Sequence, residues 1–174
     1  MRGSDPDAAV HYLGRLLGAG DLPSGCRRLI VSACEDVGLA WPQIIPVVKA
    51  AVDSALMVGL PEGRIPLADA VVLVSLAPKS YTAHVALDEA IADLRAGLTG
   101  DIPRALQNKH FDGADNPHKG QFYKYPHDFP DSWVDQQYLP DALAGKKYYR
   151  FGANKNEQAF RAYWEAVKRK NGKL

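Results

Sequence analysis

Through the first hundred residues the apolar positions recur every three or four residues, the spacing of one face of a helix. Ser4-Asp5-Pro6-Asp7 reads as a helix start. Ser4 or Asp5 can cap, Pro6 suits the first turn, and Asp7 complements the positive end of the dipole. Ala9, Leu13, Leu16 and Leu17 then share a face, and Gly18 and Gly20 stop the helix. A second helix is predicted over about 23–37. Cys26, Leu29, Ile30, Ala33, Cys34 and Val37 form its apolar stripe, and Arg27, Arg28, Glu35 and Asp36 lie off it. A third runs from Pro42 to about residue 58 on Ile44, Val48, Ala51, Val52 and Ala55. Residues 59–63 are turn chemistry. Residues 67–76 are apolar nearly all round, which predicts a central, fully buried helix. Ala77-Pro78-Lys79-Ser80 ends it and caps a fifth, striped by Ala83, Leu87, Ala90, Ile91 and Leu94.

The pattern changes at residues 97–120, where only 102–107 suggests a short helix and 112–117 is turn-forming. Residues 122–140 follow neither a helical nor a strand period, yet carry Phe122, Tyr123, Tyr125, Phe129, Trp133 and Tyr138 between three prolines. Such a segment is too aromatic for a disordered linker and reads as an ordered strap. Tyr125, Phe129, Trp133 and Tyr138 are expected to be largely buried, with His127 and Asp128 organising the turn between them. The rings are expected to close over the chain's own core; a contact with a neighbouring subunit is the alternative. A last helix, over about 156–170, sets Phe160, Tyr163, Trp164 and Val167 on one face. The fold class is therefore all-α, a helical bundle in one domain. It comprises a five-helix body over 1–98, the strap over 99–153 and a basic C-terminal helix over 154–174.

Composition narrows the class. At 174 residues, 47% hydrophobic and 24% charged, the chain has the make-up of a globular domain with a real core. No apolar run approaches a membrane span and no secretory signal is visible, so a cytoplasmic protein is expected. Cys26 and Cys34, eight apart on one helix, cannot bridge and read as two buried, reduced thiols.

Charge is uneven. Residues 1–143 hold 12 Lys/Arg against 18 Asp/Glu, and residues 144–174 hold 9 against 2. The basic segment makes Lys146, Lys147, Arg150, Lys168, Arg169 and Lys170 candidates for a nucleic-acid contact; the competing reading is a solvated helix end. Arg27, Arg28, Glu35 and Asp36 are expected to form a polar network tying the second helix to a neighbouring segment.

Catalytic motifs are missing. The sequence contains no P-loop, no glycine-rich dinucleotide loop, no C-x-x-C, no H-E-x-x-H and no G-x-S-x-G. The cluster His110, Asp112, Asp115, His118, His127 and Asp128 has residue types that bind metals, which leaves a metal-dependent hydrolase as a second alternative. Its spacing fits no zinc pattern, and polar turns use these residues for local hydrogen bonds. No catalytic, cofactor-binding or metal residue is assigned.

An ordered series of motifs does carry a resemblance. It comprises Arg2-Gly3-Ser4-Asp5-Pro6-Asp7-Ala8-Ala9, Arg27-Arg28-Leu29, Glu35-Asp36-Val37-Gly38, Gly59-Leu60-Pro61-Glu62, Ala77-Pro78-Lys79-Ser80, Tyr123-Lys124-Tyr125-Pro126-His127-Asp128 and Gln137-Tyr138-Leu139-Pro140. In this order the chain resembles the C-terminal domain of the RarA/MgsA type of AAA+ ATPase, the replication-associated recombination proteins related to the Werner-helicase-interacting ATPase. The resemblance implies a fold akin to clamp-loader collars and a non-catalytic homotetramerisation domain. It further implies an ATPase core outside this chain that would use ATP and magnesium, so the chain reads as a fragment starting at a domain boundary with Met1 as an added start. It implies work at stalled replication forks in recombination and repair, with single-stranded-DNA-binding protein and DNA as partners, and a place at the bacterial nucleoid. Lys79, Arg27, Arg28, Glu35, Asp36 and the strap residues are its structural or interface candidates.

Overall fold

The computed structural model describes residues 1–107, 117 and 123–171. Among them there are helices and turns and no strand, so the chain is all-α. In order they are α1 (Pro6–Gly18), α2 (Leu22–Ser32), α3 (Ile44–Val58), α4 (Arg64–Leu76), α5 (Thr82–Arg95) and α6 (Lys155–Lys170). Short 3-10 turns lie at Gly38–Ala40, Arg104–Leu106, Pro126–Asp128, Pro130–Ser132 and Asp141–Leu143. The chain forms two compact units. The first is Met1–Val85 with Phe151–Ala159, and the second is Ala86–Arg150 with Phe160–Leu174.

In the first unit, α4 packs against α1, α2 and α3. Leu13, Leu29, Val37, Ile44, Val48, Val52, Leu67, Val71 and Val74 make the core. The helix starts are set locally. Asp5 accepts from the Ala8 amide at 2.9 Å and Asp21 from the Ser24 amide at 3.1 Å, which leaves a proline in the first turn of each helix. Of the two candidate caps on α1, Asp5 therefore takes the role.

Two expectations change here. The second helix does not continue regularly to residue 37; it widens into a π turn over Ala33–Val37. The buried positions Gly25, Cys26, Leu29, Ser32, Ala33, Asp36 and Val37 keep one stripe at spacings of three and four through both elements, shifted to one side of the expected one. Cys34 falls beyond its edge and is exposed, Cys26 stays buried, and Asp36, expected off the stripe, lies on it. Only one of the two thiols is buried. Nor is α4 buried on every side. Its neighbours cover three sides and leave Ile65, Asp69 and Leu76 exposed along the fourth.

The second unit ties residues 146–150 to α5. Asp93 receives the Lys146 ammonium and the Tyr148 hydroxyl, the latter at 2.7 Å, and Glu89 pairs with Arg150 at 2.7 Å. The strap is ordered by prolines as expected: Tyr125 and Phe129, each before a proline, are extended. The burial of the rings is not. Tyr125 and Tyr138 are each 48% exposed and Phe129 38%, while Trp133 is half-buried. Each proline starts a single 3-10 turn, and Asp131 and Ser132 take left-handed conformations. The segment therefore turns too often to aim its rings at one surface. Among its described residues Val134 is the side chain it buries. Gly100, at φ +81°, lets Pro140 approach where a Cβ would lie 2.8 Å from the proline ring.

Candidate functional site

The polar side chains of the first unit converge on the junction between α4 and α5. Gly38 closes the π turn at φ +46°, where a Cβ would stand 3.0 Å from the Ser80 carbonyl. That close approach lets the Ser80 amide donate to the Asp36 carbonyl at 2.8 Å. On the outer side a cleft of about 370 Å³ is lined by Arg2, Glu35, Asp36, Lys79, Tyr81 and His84. Arg2 is its clasp: Nε donates to Asp36 at 2.5 Å and the other end of the guanidinium pairs with Glu35. Both carboxylates, Asp36 first, hold the Arg2 guanidinium protonated beyond its ordinary range.

The expected network therefore exists around Glu35 and Asp36 but with another arginine. Arg27 reaches only Ser24, at 3.2 Å, and Arg28 is exposed. Arg27 and Arg28 project from the exposed side of α2, whereas Asp36 lies on its buried side, where Arg2 reaches it. Lys79 donates to the carbonyls of Val74, Ser75 and Ala77 at 2.8, 3.0 and 2.6 Å, closing the C-terminus of α4. Burial pushes the Lys79 amine below its ordinary value, opposed by Asp36.

On the inner side lies Glu157, a residue missed from the sequence. It has no exposed surface. Its carboxylate accepts from Ser80 Oγ at 2.5 Å, Thr82 Oγ1 at 2.6 Å, the Gly152 amide at 3.0 Å and the Asn154 side chain. Asn154 in return accepts from the Glu157 amide at 2.9 Å. Asn154-x-x-Glu157 is a capping-box pattern, which is the signal that could have found it. Four donors satisfy a buried carboxylate, so the arrangement holds elements together and offers no free group for proton transfer.

The basic candidates are mostly engaged within the chain. Lys146 pairs with Asp93, Arg150 with Glu89, and Lys170 with Asp131 at 3.1 Å, and Lys168 lies 3.7 Å from the centre of the Trp164 ring. Lys147 and Arg169 are exposed. Hydrogen bonds from Lys146, then Tyr148, hold the Asp93 carboxyl below its ordinary value; Lys170 and then Asn171 do so for Asp131.

In the strap, His127 Nδ1 lies 3.1 Å from Ser132 Oγ and its ring stands edge-on to Tyr125 at 5.1 Å. No hydrogen bond of the Asp128 carboxylate accompanies it among the described residues, so the histidine organises this turn. His110, Asp112, Asp115, His118 and Phe122 lie outside the described residues. Among those described, no three potential metal ligands gather.

The surface also carries much apolar area. Met57 is 86% exposed and Leu76 66%, with Tyr12, Leu56, Val58, Ile65 and Tyr163 each more than half exposed. Among the described residues no helix is long and apolar enough to cross a membrane.

Against known proteins, residues 3–168 match the family described as MgsA AAA+ ATPase C terminal. The replication-associated recombination protein A of Bacillus subtilis is 55% identical over 150 residues, covering 86% of this chain and 36% of that protein. Its namesake in Escherichia coli K12 is 36% identical over 151 residues, 86% of this chain and 34% of that protein. An AAA-domain-containing protein of Mycobacterium tuberculosis is 44% identical over 151 residues, 86% of this chain and 33% of that protein. The chain thus spans about a third of the length of these relatives. An all-α chain with its match running over nearly its whole length belongs to the family of MgsA-type AAA+ ATPase C-terminal domains.

Proposed function

We propose that this chain is the self-assembly domain of an AAA+ ATPase acting in replication-fork maintenance, recombination and repair, and that it carries out no catalysis itself. The reading is supported above all by apolar surface. In a monomer Met57, Ile65 and Leu76 in the first unit, and the strap rings Tyr125, Phe129 and Tyr138 in the second, stay exposed to water, and further copies would cover them. The polar groups support it too, since Glu157 and Arg2 are engaged in joining segments and Lys79 in closing the end of α4.

In this reading four copies associate without nucleotide. ATP and magnesium belong to an ATPase part elsewhere in a longer protein, and contacts with DNA and single-stranded-DNA-binding protein, at the nucleoid, belong to that protein too. Light scattering coupled to size exclusion tests it. The expected mass is four times the 19.0 kDa of the chain and independent of added ATP. A monomer mass at every concentration overturns it.

A further inference from the structure

The uncovered side of α4 has a groove beside it. Ile65, Asp69, Val72 and Leu76 fall on one face, at i, i+4, i+7 and i+11. Three of these four residues are apolar, yet α1, α2 and α3 leave this face open. Between α1 and α4 runs a groove of about 630 Å³, walled by Val10, Leu17, Leu60 and Ile65. Gly14 and Gly18, with open space where a Cβ would stand, keep its α1 side low. Just ahead of Leu60, α3 ends in Leu56-Met57-Val58, a ridge with every side chain more than half exposed.

We infer that the groove receives the Leu56-Met57-Val58 ridge of a second copy of this chain, an inference that rests on the assembly reading above. Ridge and groove are both on the first unit, so each copy offers a projecting part and a receiving part. Such a surface closes a two-fold pair, each ridge in the other copy's groove. The charges agree with a copy as occupant. Arg64 and Asp69, the two charged residues lining the groove, cancel, and the Leu56-Met57-Val58 ridge carries no charge, so the two surfaces meet without repulsion. The area agrees as well. The exposed parts of the ridge, Val10, Leu60 and Ile65 offer on the order of 600 Å² per copy, and roughly 1,200 Å² for two copies reaches the lower bound of stable interfaces.

The test uses the full chain in solution. Met57→Glu and Ile65→Glu both replace exposed residues, so both variants should keep the helical circular dichroism of the wild type while their mass by light scattering falls at least two-fold. In a Cys34→Ser background, Met57→Cys chains mixed with Ile65→Cys chains should form a disulfide-linked pair on mild oxidation, visible on a non-reducing gel. If a glutamate variant loses its helices, the cross-link alone decides. A wild-type assembly that keeps its mass in both variants, or yields no cross-link, overturns the groove as the docking site and gives it to another occupant. A wild-type monomer overturns the assembly reading itself, and this inference with it.

Discussion

Ser80 Oγ lies 2.5 Å from Glu157 Oε2, and 77 positions of chain separate the two residues. That bond and its neighbours set the first prediction. Glu157→Ala strips a partner from Ser80, Thr82, Asn154 and the Gly152 amide at once, inside a buried site. Leaving buried donors unpaired costs about 1–3 kcal/mol each, partly relieved by water, so a loss of about 3 kcal/mol or more in unfolding free energy is expected. Glu157→Gln keeps the shape and should cost less. Urea titration reads both, and a loss under about 0.5 kcal/mol for the alanine variant would mean that the junction is held by packing alone.

Asp36 and Arg28 separate the observed network from the expected one. Asp36→Ala removes a nearly buried carboxylate that takes the Arg2 guanidinium, so a cost of about 1–3 kcal/mol is expected. Arg28→Ala alters an exposed side chain and should stay within about 0.5 kcal/mol. Equal melting shifts for the two would contradict the Arg2 clasp.

The two thiols should differ in reactivity. Cys34 is exposed, whereas Cys26 is buried and its thiol is pushed above the ordinary value by burial. A thiol reagent at neutral pH should titrate one group in the folded chain and two in denaturant. Loss of the fast reaction in Cys34→Ser, but not in Cys26→Ser, confirms the assignment; two fast thiols in the native chain would show that Cys26 is not buried, and no fast thiol that Cys34 does not face outward.

In the strap the order of effects reverses the one expected from ring size. Val134→Ala should cost about 1–3 kcal/mol because that side chain is buried. Tyr125→Ala, at an exposed ring, should cost under about 1 kcal/mol in a monomeric chain. Where the rings meet another subunit, Tyr125→Ala lowers the assembled mass and leaves the circular dichroism unchanged. A Tyr125→Ala chain less stable than Val134→Ala would contradict the placement of the rings.

Acid should weaken the fold through a defined set of groups. Asp21, Asp93 and Asp131 have folded values below the ordinary 3.8. A depressed carboxyl stabilises the fold fully above its unfolded value, and that contribution is lost as pH falls through the folded one. Melting temperature should therefore be flat above about pH 5 as far as these groups go, and fall below about 4. Added salt should weaken the Asp93 and Asp131 pairs and spare the Asp21 cap, which depends on Ser24. Lys79 works with the opposite sign: its folded value is lowered, so its charge costs stability below that value and the cost vanishes as pH rises toward 10.5. Asp93→Asn and Asp131→Asn variants that keep the wild-type acid profile would remove those two pairs from the account.

Much of this architecture was legible in periodicity. α1, α2, α3, α5 and α6 each announce themselves by an apolar stripe, α4 by an apolar run, and Asp5-Pro6 by its capping chemistry, because these depend on neighbours a few residues away. The π turn was not legible. Ala33 and Val37 are apolar at a spacing that a regular helix also explains, so the inserted residue leaves no mark in the pattern. The role of Arg2 is not legible because its partners lie 33 and 34 residues away, and arginines next to α2's stripe offer a nearer pairing. The prolines of the strap correctly implied extended Tyr125 and Phe129, but which way a ring then points depends on Asp131 and Ser132, whose left-handed backbone no propensity suggests.

The order of the chain has a consequence for synthesis. The first unit draws its last piece, Phe151–Ala159, from far downstream of the helices that it completes. A ribosome that has just delivered Thr82 must add 75 more residues before Glu157 exists. At about 5–20 residues per second that interval is roughly 4–15 s. Throughout it, α1 to α4 can collapse, but the hydroxyls of Ser80 and Thr82 have water as their partner and the unit has a gap at one edge. A nascent chain of this protein thus passes through an obligatory waiting period, during which chaperones and other nascent copies have access to a half-closed bundle.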